Sequence, residues 1–477
     1  MAAGANLYGL FARAAEGAGR VPVFVEKGET RLRYDQLDGA VAGYAAALAA
    51  RGARPGDRLL AQAEKSVEGA LLYLASLRAG LVYVPLNTAY TAAELAYFID
   101  DAEPAVIVAP GHLGLDDLRG DATTFETVVR GPEDLAAILY TSGTTGRSKG
   151  AMLSHDNLAS NALVLKDYWR WRPGDVLIHA LPIYHVHGLF VALHGALLNG
   201  STMVWHAAFD ADAVIDDMAL ATILMGVPTF YTRLLANPRL TRDAAANMRL
   251  FVSGSAPLLE ATFRDFEART GHRILERYGM TEAGMICSNP YDGDRIPGTV
   301  GFPLPGVEAR IESGAGPGVL EIRGPNLFKG YWRNPDKTAE DMRADGFFIT
   351  GDIATMDEDG RVAIVGRAKD LIIAGGLNIY PREIELALDA LPGVLESAVI
   401  GVPHPDLGEA AVAVVVRSDP ALDEAAVQAA LAGLARFKQP RRVVFTDALP
   451  RNAMGKVQKA ALREAHKDVF AGQDPSS

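Results

Sequence analysis

The segment from Tyr140 to Gly150, YTSGTTGRSKG, concentrates groups that bind phosphate. It holds five Ser and Thr residues, three glycines and two cations. Small residues let backbone N–H groups approach phosphoryl oxygens, hydroxyls donate further hydrogen bonds, and a lysine adds positive charge. The common nucleotide P-loop needs a hydroxyl directly after its lysine, and here Gly150 follows Lys149. The candidate phosphate-binding residues are Thr141, Ser142, Gly143, Thr144, Thr145, Gly146 and Lys149.

Charged residues in three later motifs could complete a nucleotide site. In ERYGMTE, Glu282 follows a turn at Gly279, and a carboxylate beside a triphosphate suits Mg²⁺. In FFITGD, Asp352 follows a glycine and is placed to accept hydrogen bonds from ribose hydroxyls. Lys456 in PRNAMGKVQK is a third candidate, although a lysine in such a position is ordinarily a solvated surface charge.

Histidine and cysteine give little support for metal or thiol chemistry. His185 and His187 in LPIYHVHGL lack nearby acidic or Cys ligands, so they make a poor zinc site. Cys287 is the only cysteine, and no basic residue flanks it. We interpret Cys287 as part of an apolar pocket wall rather than as a nucleophile. A single cysteine also excludes an intrachain disulfide.

The elements that must position these residues follow a βαβ rhythm as far as about residue 221. Helical periodicity alternates with short apolar runs, which predicts parallel strands covered by helices on both faces. Ligands of such sheets bind beyond the carboxyl ends of strands. The loops after Tyr140, Leu181 and Leu275 are therefore expected near one crevice.

Later segments predict different architecture. From about Gly301 frequent Gly and Pro and short alternating strands indicate an antiparallel or barrel-like subdomain. The tail after Lys369 has the pattern of a small α+β unit. The predicted fold class is α/β, with a large N-terminal domain of βαβαβ parallel sheets plus a small barrel-like subdomain at 1–367, and a mobile α+β C-terminal domain at 368–477.

Composition narrows the class of protein. The chain has 477 residues, 49% of them hydrophobic, which favours a globular protein of two or more domains. A formal charge of -12 without a basic run argues against nucleic acid or an anionic membrane as partner. No apolar stretch approaches a membrane span, so we expect a cytoplasmic protein; a transit peptide, suggested by Arg13 and few acids near the start, is the alternative. Oligomeric state is left open.

Six motifs in order resemble the adenylate-forming superfamily of acyl-CoA synthetases, peptide-synthetase adenylation domains and luciferases. They are TSGTTG with its lysine, LPIYHVHGL, ERYGMTE, TGD, GRAKDLIIAGG and PRNAMGKVQK, and they cover nearly the whole chain from Tyr34 to Lys459. The resemblance implies ATP and coenzyme A as substrates, Mg²⁺ as cofactor, and a C-terminal domain that rotates between two half-reactions. The further ATP-binding positions it implies are Gly254, Ser255, Ala256, Glu276, Arg277, Tyr278, Gly279, Met280 and Thr281.

The resemblance also gives roles to single residues. Lys456 would stabilise charge during attack on the α-phosphorus, and Thr141 and Glu282 would hold the metal ion. His185 would gate the acyl pocket. The remaining roles it implies are Arg367 on the ribose, Lys369 as hinge, and Gly375 and Gly376 beside the pantetheine arm.

The identity of the acid depends on Arg277. Related aryl and fatty-acid ligases usually have a small residue at this position in the acyl pocket. A buried arginine is costly unless an anion meets it, and a second substrate carboxylate would do so with bidentate hydrogen bonds. The chain resembles malonyl-CoA synthetases, in which Arg277, Arg233 and Ser255 would bind the distal carboxylate of malonate. Val186 and Met285 would border the central carbon and decide whether methylmalonate enters.

Three other readings stay open. Arg233 lies in the apolar helix TFYTRLLAN, where it could equally be a surface arginine with a buried stem. A CoA ligase for oxalate, a longer diacid or an aryl acid is the nearest alternative function. A stand-alone adenylation domain, or a non-catalytic acyl-adenylate binder, fits less well, because no pocket Asp for an amino group is evident and the motifs are intact.

Overall fold

The computed structural model describes residues 6–141, 148–312, 316–451 and 456–471. Its strands, in chain order, are β1 (Pro22–Glu26), β2 (Glu29–Arg33), β3 (Arg58–Ala61), β4 (Val82–Pro85), β5 (Val106–Val108), β6 (Leu135–Thr141), β7 (Lys149–Ser154), β8 (Val176–His179), β9 (Thr202–Trp205), β10 (Ile223–Gly226), β11 (Leu250–Ser253), β12 (Leu275–Met280), β13 (Gly284–Ser288), β14 (Phe302–Pro303), β15 (Glu308–Ile311), β16 (Gly318–Arg323), β17 (Phe348–Met356), β18 (Val362–Arg367), β19 (Ile372–Ala374), β20 (Leu377–Ile379), β21 (Val394–His404), β22 (Gly408–Arg417) and β23 (Arg442–Thr446).

The helices alternate with these strands over the first half of the chain. They are α1 (Tyr8–Ala18), α2 (Tyr34–Ala50), α3 (Val67–Arg78), α4 (Ala92–Ala102), α5 (His155–Tyr168), α6 (His194–Asn199), α7 (Ala211–Asp217), α8 (Pro228–Ala236), α9 (Glu260–Thr270), α10 (Pro335–Glu340), α11 (Pro381–Asp389), α12 (Glu424–Ala430) and α13 (Lys459–His466). A π-helix over His187–Leu193 leads into α6. Local sequence explains their limits: Ser66 accepts a hydrogen bond from the Gly69 N–H at the start of α3, and Gly80 after its end has φ of 71°.

The chain folds into two compact units. The first comprises residues 1–258, 262–308 and 322–348, and the second comprises 259–261, 309–321 and 349–477. The predicted domain boundary between residues 367 and 368 is a point of rotation, whereas the two units are defined by how compactly their residues pack. The boundary therefore stays a prediction.

Two sheets form the first unit. The nine-stranded sheet has the order β14-β13-β12-β11-β10-β8-β9-β1-β2, and the five-stranded sheet has the order β5-β3-β4-β6-β7. Strands from β12 through β11, β10, β8 and β9 to β1 pair parallel, whereas both edges of that sheet are antiparallel. Helices α7, α8 and α9 surround a core that contains Tyr231, Phe251 and Phe266. The predicted α/β class with parallel sheets is confirmed.

Antiparallel pairing dominates the later part of the chain. One sheet has the order β15-β16-β17-β18, and β17 pairs antiparallel with β18. In the other sheet, with the order β20-β19-β22-β21, β23 pairs parallel with β22. Helices α11 and α12 pack on one apolar cluster of that sheet, and α13 contributes Leu462 to a second cluster. Among the described residues no helix is both long enough and apolar enough to cross a membrane.

Candidate active site

Arg277 is buried in the first half of β12, the strand that pairs parallel with β11. The residue is only 3% exposed, and burial lowers its pKa to about 9. Nε and Nη2 of the guanidinium have no hydrogen-bond partner among the described residues. A buried guanidinium normally makes several hydrogen bonds or an ion pair, so these two nitrogens are suited to donate to an anionic group of a ligand.

Gly254, directly after β11, makes the position of Arg277 possible. A Cβ at residue 254 would overlap the guanidinium carbon and its nitrogens. Tyr231 on α8 is also close, because its interaction with Arg277 affects the pKa of each side chain. The Tyr231 hydroxyl donates to the Val252 carbonyl at 2.7 Å. The cation therefore lies in a tightly packed space between β11, β12 and α8.

His187 and Ser255 approach each other at this site. The Ser255 hydroxyl lies 3.4 Å from Nδ1 of His187, and Ser255 adopts a left-handed φ of 72°. His187 is 1% exposed, and its pKa is well below the usual value because of burial first and the charge of Arg277 second. The imidazole is thus neutral near pH 7. Its Nε2 has no hydrogen-bond partner among the described residues.

Sequence reasoning missed His187, because it considered this residue only as a metal ligand. The available signal was its place two residues after His185 in the same motif. His185 is partly exposed, and its Nδ1 accepts a 3.4 Å hydrogen bond from the His187 N–H. The two predicted neighbours of the acyl chain, Val186 and Met285, are both buried.

Arg233 has a different environment from Arg277. It is exposed on α8, and no hydrogen bond or ion pair joins it to another described residue. Its surroundings match the alternative of a surface arginine. Its part in carboxylate binding stays a prediction.

Glu282 lies on the side of the site expected to hold phosphate. It is 7% exposed, and its carboxylate accepts a 3.0 Å hydrogen bond from Tyr331. The ammonium of Lys149 lies 4.8 Å from the centre of the same Tyr331 ring. Thr141 pairs with Lys149 across the β6–β7 ladder. Two predicted ATP and metal residues, Glu282 and Lys149, therefore contact one tyrosine, and Thr141 lies opposite Lys149 on the neighbouring strand.

The donor set fits Mg²⁺ better than a transition metal. No cluster of three or more His, Cys, Asp or Glu side chains that could hold a metal occurs in the described part of the chain. Mg²⁺ is commonly bound by one or two carboxylates together with substrate phosphates and waters, so Glu282 alone is sufficient as its carboxylate ligand. The hydroxyl of Thr141 is the second predicted ligand.

Several predicted ATP residues follow Glu276 along β12 and its turn. The Glu276 carboxylate accepts from the Leu258 N–H at 3.1 Å, which ties β12 to the segment after Ser255. Gly279 permits a close approach, because a Cβ there would overlap the Gly284 carbonyl. Side chains of four predicted positions are partly exposed: Ala256, Tyr278, Met280 and Thr281. The predicted positions Ser142, Gly143, Thr144, Thr145 and Gly146 lie outside the described residues.

Asp352 and Arg367 face each other in the second unit. They pair across β17 and β18, and Nε of Arg367 lies 2.6 Å from Oδ1 of Asp352. Asp352 is 2% exposed, whereas the Arg367 side chain is 44% exposed. Both residues are predicted to contact the ribose of ATP, and their ion pair would hold the Asp352 carboxylate in a fixed orientation.

The remaining predicted positions also lie in the second unit. Lys369 is exposed in a short 3₁₀ helix, and Lys456 is exposed before α13. Gly375 and Gly376 form the two-residue turn between β19 and β20, with φ of 56° and 79°. A turn with positive φ at both central residues favours glycine by itself, so the Gly-Gly pair has a conformational reason independent of pantetheine.

Comparisons with known proteins give the family and the relatives that the chain is similar to. Family models for the AMP-binding enzyme and for the AMP-binding enzyme C-terminal domain match residues 11–332 and 383–456. ATP-bound MatB from Rhodopseudomonas palustris is 54% identical with a TM-score of 0.94, covering 98% of this chain and 100% of that chain. The malonate–CoA ligase of Arabidopsis thaliana is 35% identical, covering 87% of this chain and 79% of that protein. A feruloyl-CoA synthase of an Amycolatopsis species is 36% identical, covering 92% and 95%.

Proposed function

The chain belongs to the AMP-binding enzyme family, as an AMP-forming acid–CoA ligase, and we propose that its acid is malonate. The reaction uses ATP and coenzyme A and yields malonyl-CoA, AMP and pyrophosphate. The observation that carries the proposal is the buried Arg277, with two nitrogens that no described residue satisfies.

The ligases named for malonate and for ferulate do not separate the two acids, because they are about equally similar to this chain. The environment of Arg277 supports a diacid. An aryl or alkyl acid would leave the guanidinium unpaired and bury apolar surface against it, which is unfavourable. A carboxylate one methylene away from the reacting carboxylate would instead accept two charge-assisted hydrogen bonds.

His187 and Ser255 support the same assignment. A neutral imidazole can accept or donate a hydrogen bond without adding a second positive charge beside Arg277. Its 3.4 Å approach to the Ser255 hydroxyl would orient that hydroxyl, which we propose as a further donor to the distal carboxylate. Arg233 is retained as a predicted contributor to be tested separately.

The proposed chemistry has two displacements. In the first, an oxygen of the reacting carboxylate attacks the α-phosphorus of ATP, pyrophosphate leaves, and a malonyl-adenylate forms. In the second, the CoA thiolate attacks the acyl carbon, the C–O bond to AMP breaks, and the thioester forms. No covalent enzyme intermediate is required.

The chain's own residues act by binding and electrostatics. Lys149 and Lys456 would place positive charge against phosphoryl oxygens, and Asp352 would accept hydrogen bonds from the ribose. Glu282 and Thr141 would hold Mg²⁺, which when bound neutralises phosphate charge. The acyl-pocket residues, Val186 and Met285, are both buried and would limit substitution at the central carbon, so a methyl-substituted malonate is the natural second substrate to test.

The experiment is ATP/pyrophosphate exchange over malonate, methylmalonate, succinate, oxalate, propionate and benzoate, followed by thioester detection with CoA. Malonate is expected to give the fastest exchange and a CoA thioester. Faster exchange with propionate or benzoate than with any diacid would refute the assignment. Exchange without thioester would refute CoA as the acceptor.

A further inference from the structure

Two ion pairs fix the helix that follows Lys456 within the second unit. Lys459 and Arg463 are four residues apart on α13, so their side chains project from the same face. The Lys459 ammonium lies 2.5 Å from the Glu385 carboxylate on α11. The Arg463 guanidinium donates to the Asp370 carboxylate at 2.5 Å.

Asp370 occupies a special place in the chain. It ends the 3₁₀ helix Ala368–Asp370 and directly follows Lys369, the predicted hinge. The contact with Arg463 spans 93 residues of sequence. It therefore connects the predicted hinge turn to the helix beside Lys456. Asp370 and Arg463 side chains are 14% and 30% exposed, so water screens this pair less than a fully exposed one.

The path from α13 to Lys456 is short. Lys456 precedes α13 by three residues, Val457 bridges to Arg451, and the Gln458 N–H donates to the Pro450 carbonyl at 2.8 Å. On α13 itself, Leu462 is 5% exposed and packs into an apolar cluster with side chains of β21 and β22. The backbone position of Lys456 is consequently set by the position of α13.

We propose that Asp370 and Arg463 are positioning residues for the adenylation half-reaction. Their ion pair makes the hinge turn and the Lys456 segment one rigid assembly, so that rotation about the hinge delivers the Lys456 ammonium to a reproducible place. Glu385 and Lys459 support the same helix from α11. This inference rests on the proposed function, which gives Lys456 its role in the first step.

A purely structural role would weaken both half-reactions in parallel, whereas the positioning role is selective. Only adenylation needs the Lys456 ammonium; thioester formation from preformed acyl-adenylate does not. Asp370→Asn should lower the maximal rate of ATP/pyrophosphate exchange by about 10- to 100-fold, since a displacement near 1 Å has that effect on catalysis. The KM for ATP and the thioester rate from synthetic malonyl-adenylate should stay within about threefold of wild type.

The matched control is Lys467→Gln, which removes an exposed ion pair with Glu464 in the same segment and should leave both rates unchanged. The charge-reversed pair Asp370→Arg with Arg463→Asp should recover exchange relative to either single variant. Melting temperatures of all variants show whether the domain remains folded.

Each outcome separates this inference from the proposed function. Exchange is measured with whichever acid the wild-type protein activates, so an error about malonate does not affect the comparison. If Lys456→Ala retains exchange, the role assigned to Lys456 is wrong. If Lys456→Ala loses exchange while Asp370→Asn keeps it, or if Asp370→Asn slows both half-reactions equally, the positioning role is overturned.

Discussion

Replacing Arg277 by methionine should raise the stability of the ligand-free protein and abolish the proposed preference for malonate. Burial lowers the pKa of this arginine from its ordinary value to about 9. At 1.36 kcal/mol per pKa unit, keeping the charge in place costs about 5 kcal/mol. Methionine fills much of the same volume without a charge, so the variant avoids this cost.

The loss of activity follows from the proposed ion pair between Arg277 and the distal carboxylate of malonate. Removing one partner of a buried charge pair costs about 3–5 kcal/mol, because the remaining charge is left unpaired. In the variant that charge is the distal carboxylate of malonate. The value of kcat/KM for malonate should fall by about 10²- to 10⁴-fold.

Propionate is the matched substrate for this test, because it replaces the distal carboxylate of malonate with a methyl group. The assay is steady-state thioester formation with both acids for wild type and Arg277→Met, alongside thermal unfolding. The ratio of kcat/KM for malonate to that for propionate should collapse by at least about 10². A change in this ratio below about fivefold, or a variant that unfolds at lower temperature, would refute the reasoning.

Three further predictions concern other residues of the chain. Gly254→Ala places a Cβ against the Arg277 guanidinium, so malonate kcat/KM should fall at least about 10-fold while that for propionate changes less, measured in the same assay. Glu282→Gln should lower pyrophosphate exchange by about 10²-fold at low Mg²⁺ and raise the Mg²⁺ concentration needed for half-maximal exchange, and an unchanged Mg²⁺ dependence would contradict its placement as a metal ligand. Burial raises the pKa of Asp389 from 3.8 to about 6. Ionisation of Asp389 therefore lowers the stability of the folded state, and this loss is absent below pH 3.8 and complete above pH 6. Asp389→Asn should therefore stabilise the second unit by about 3 kcal/mol at pH 7.5 and by about half that at pH 5, as denaturant unfolding would show.

Periodicity and turn chemistry were sufficient to predict several of the regular elements. The apolar run LVYVPLN contains β4, and α11 begins at Pro381, a residue type favoured in the first turn of a helix. Gly80 follows α3 in the left-handed conformation, as a glycine after a helix usually does. These features depend on local sequence, so they are readable without tertiary contacts.

Pairing between distant strands could not be read in the same way. The hairpin of β1 and β2 lies at the edge of the nine-stranded sheet beside β9, and nothing in its local sequence specifies that partner. The antiparallel return of β13 along β12 is another example. Such pairings are decided by which apolar faces remain to be covered after the local elements form.

The candidate active site likewise combines residues that local motifs predict with contacts that depend on distant parts of the chain. Motif spacing predicted Arg277, Glu282 and Asp352 as functional residues, and all three side chains are buried. The closeness of His187 to Ser255, and the role of Tyr331 as a shared contact of Glu282 and Lys149, depend on side chains from separate elements. Sequence spacing contains no information about these contacts.

A crystal structure with bound malonyl-adenylate analogue tests the central claim most directly. The account predicts that the distal carboxylate accepts hydrogen bonds of about 2.7–2.9 Å from Nε and Nη2 of Arg277. A carboxylate bound elsewhere, with the Arg277 guanidinium turned to solvent or paired to an acidic side chain of the protein, would contradict it.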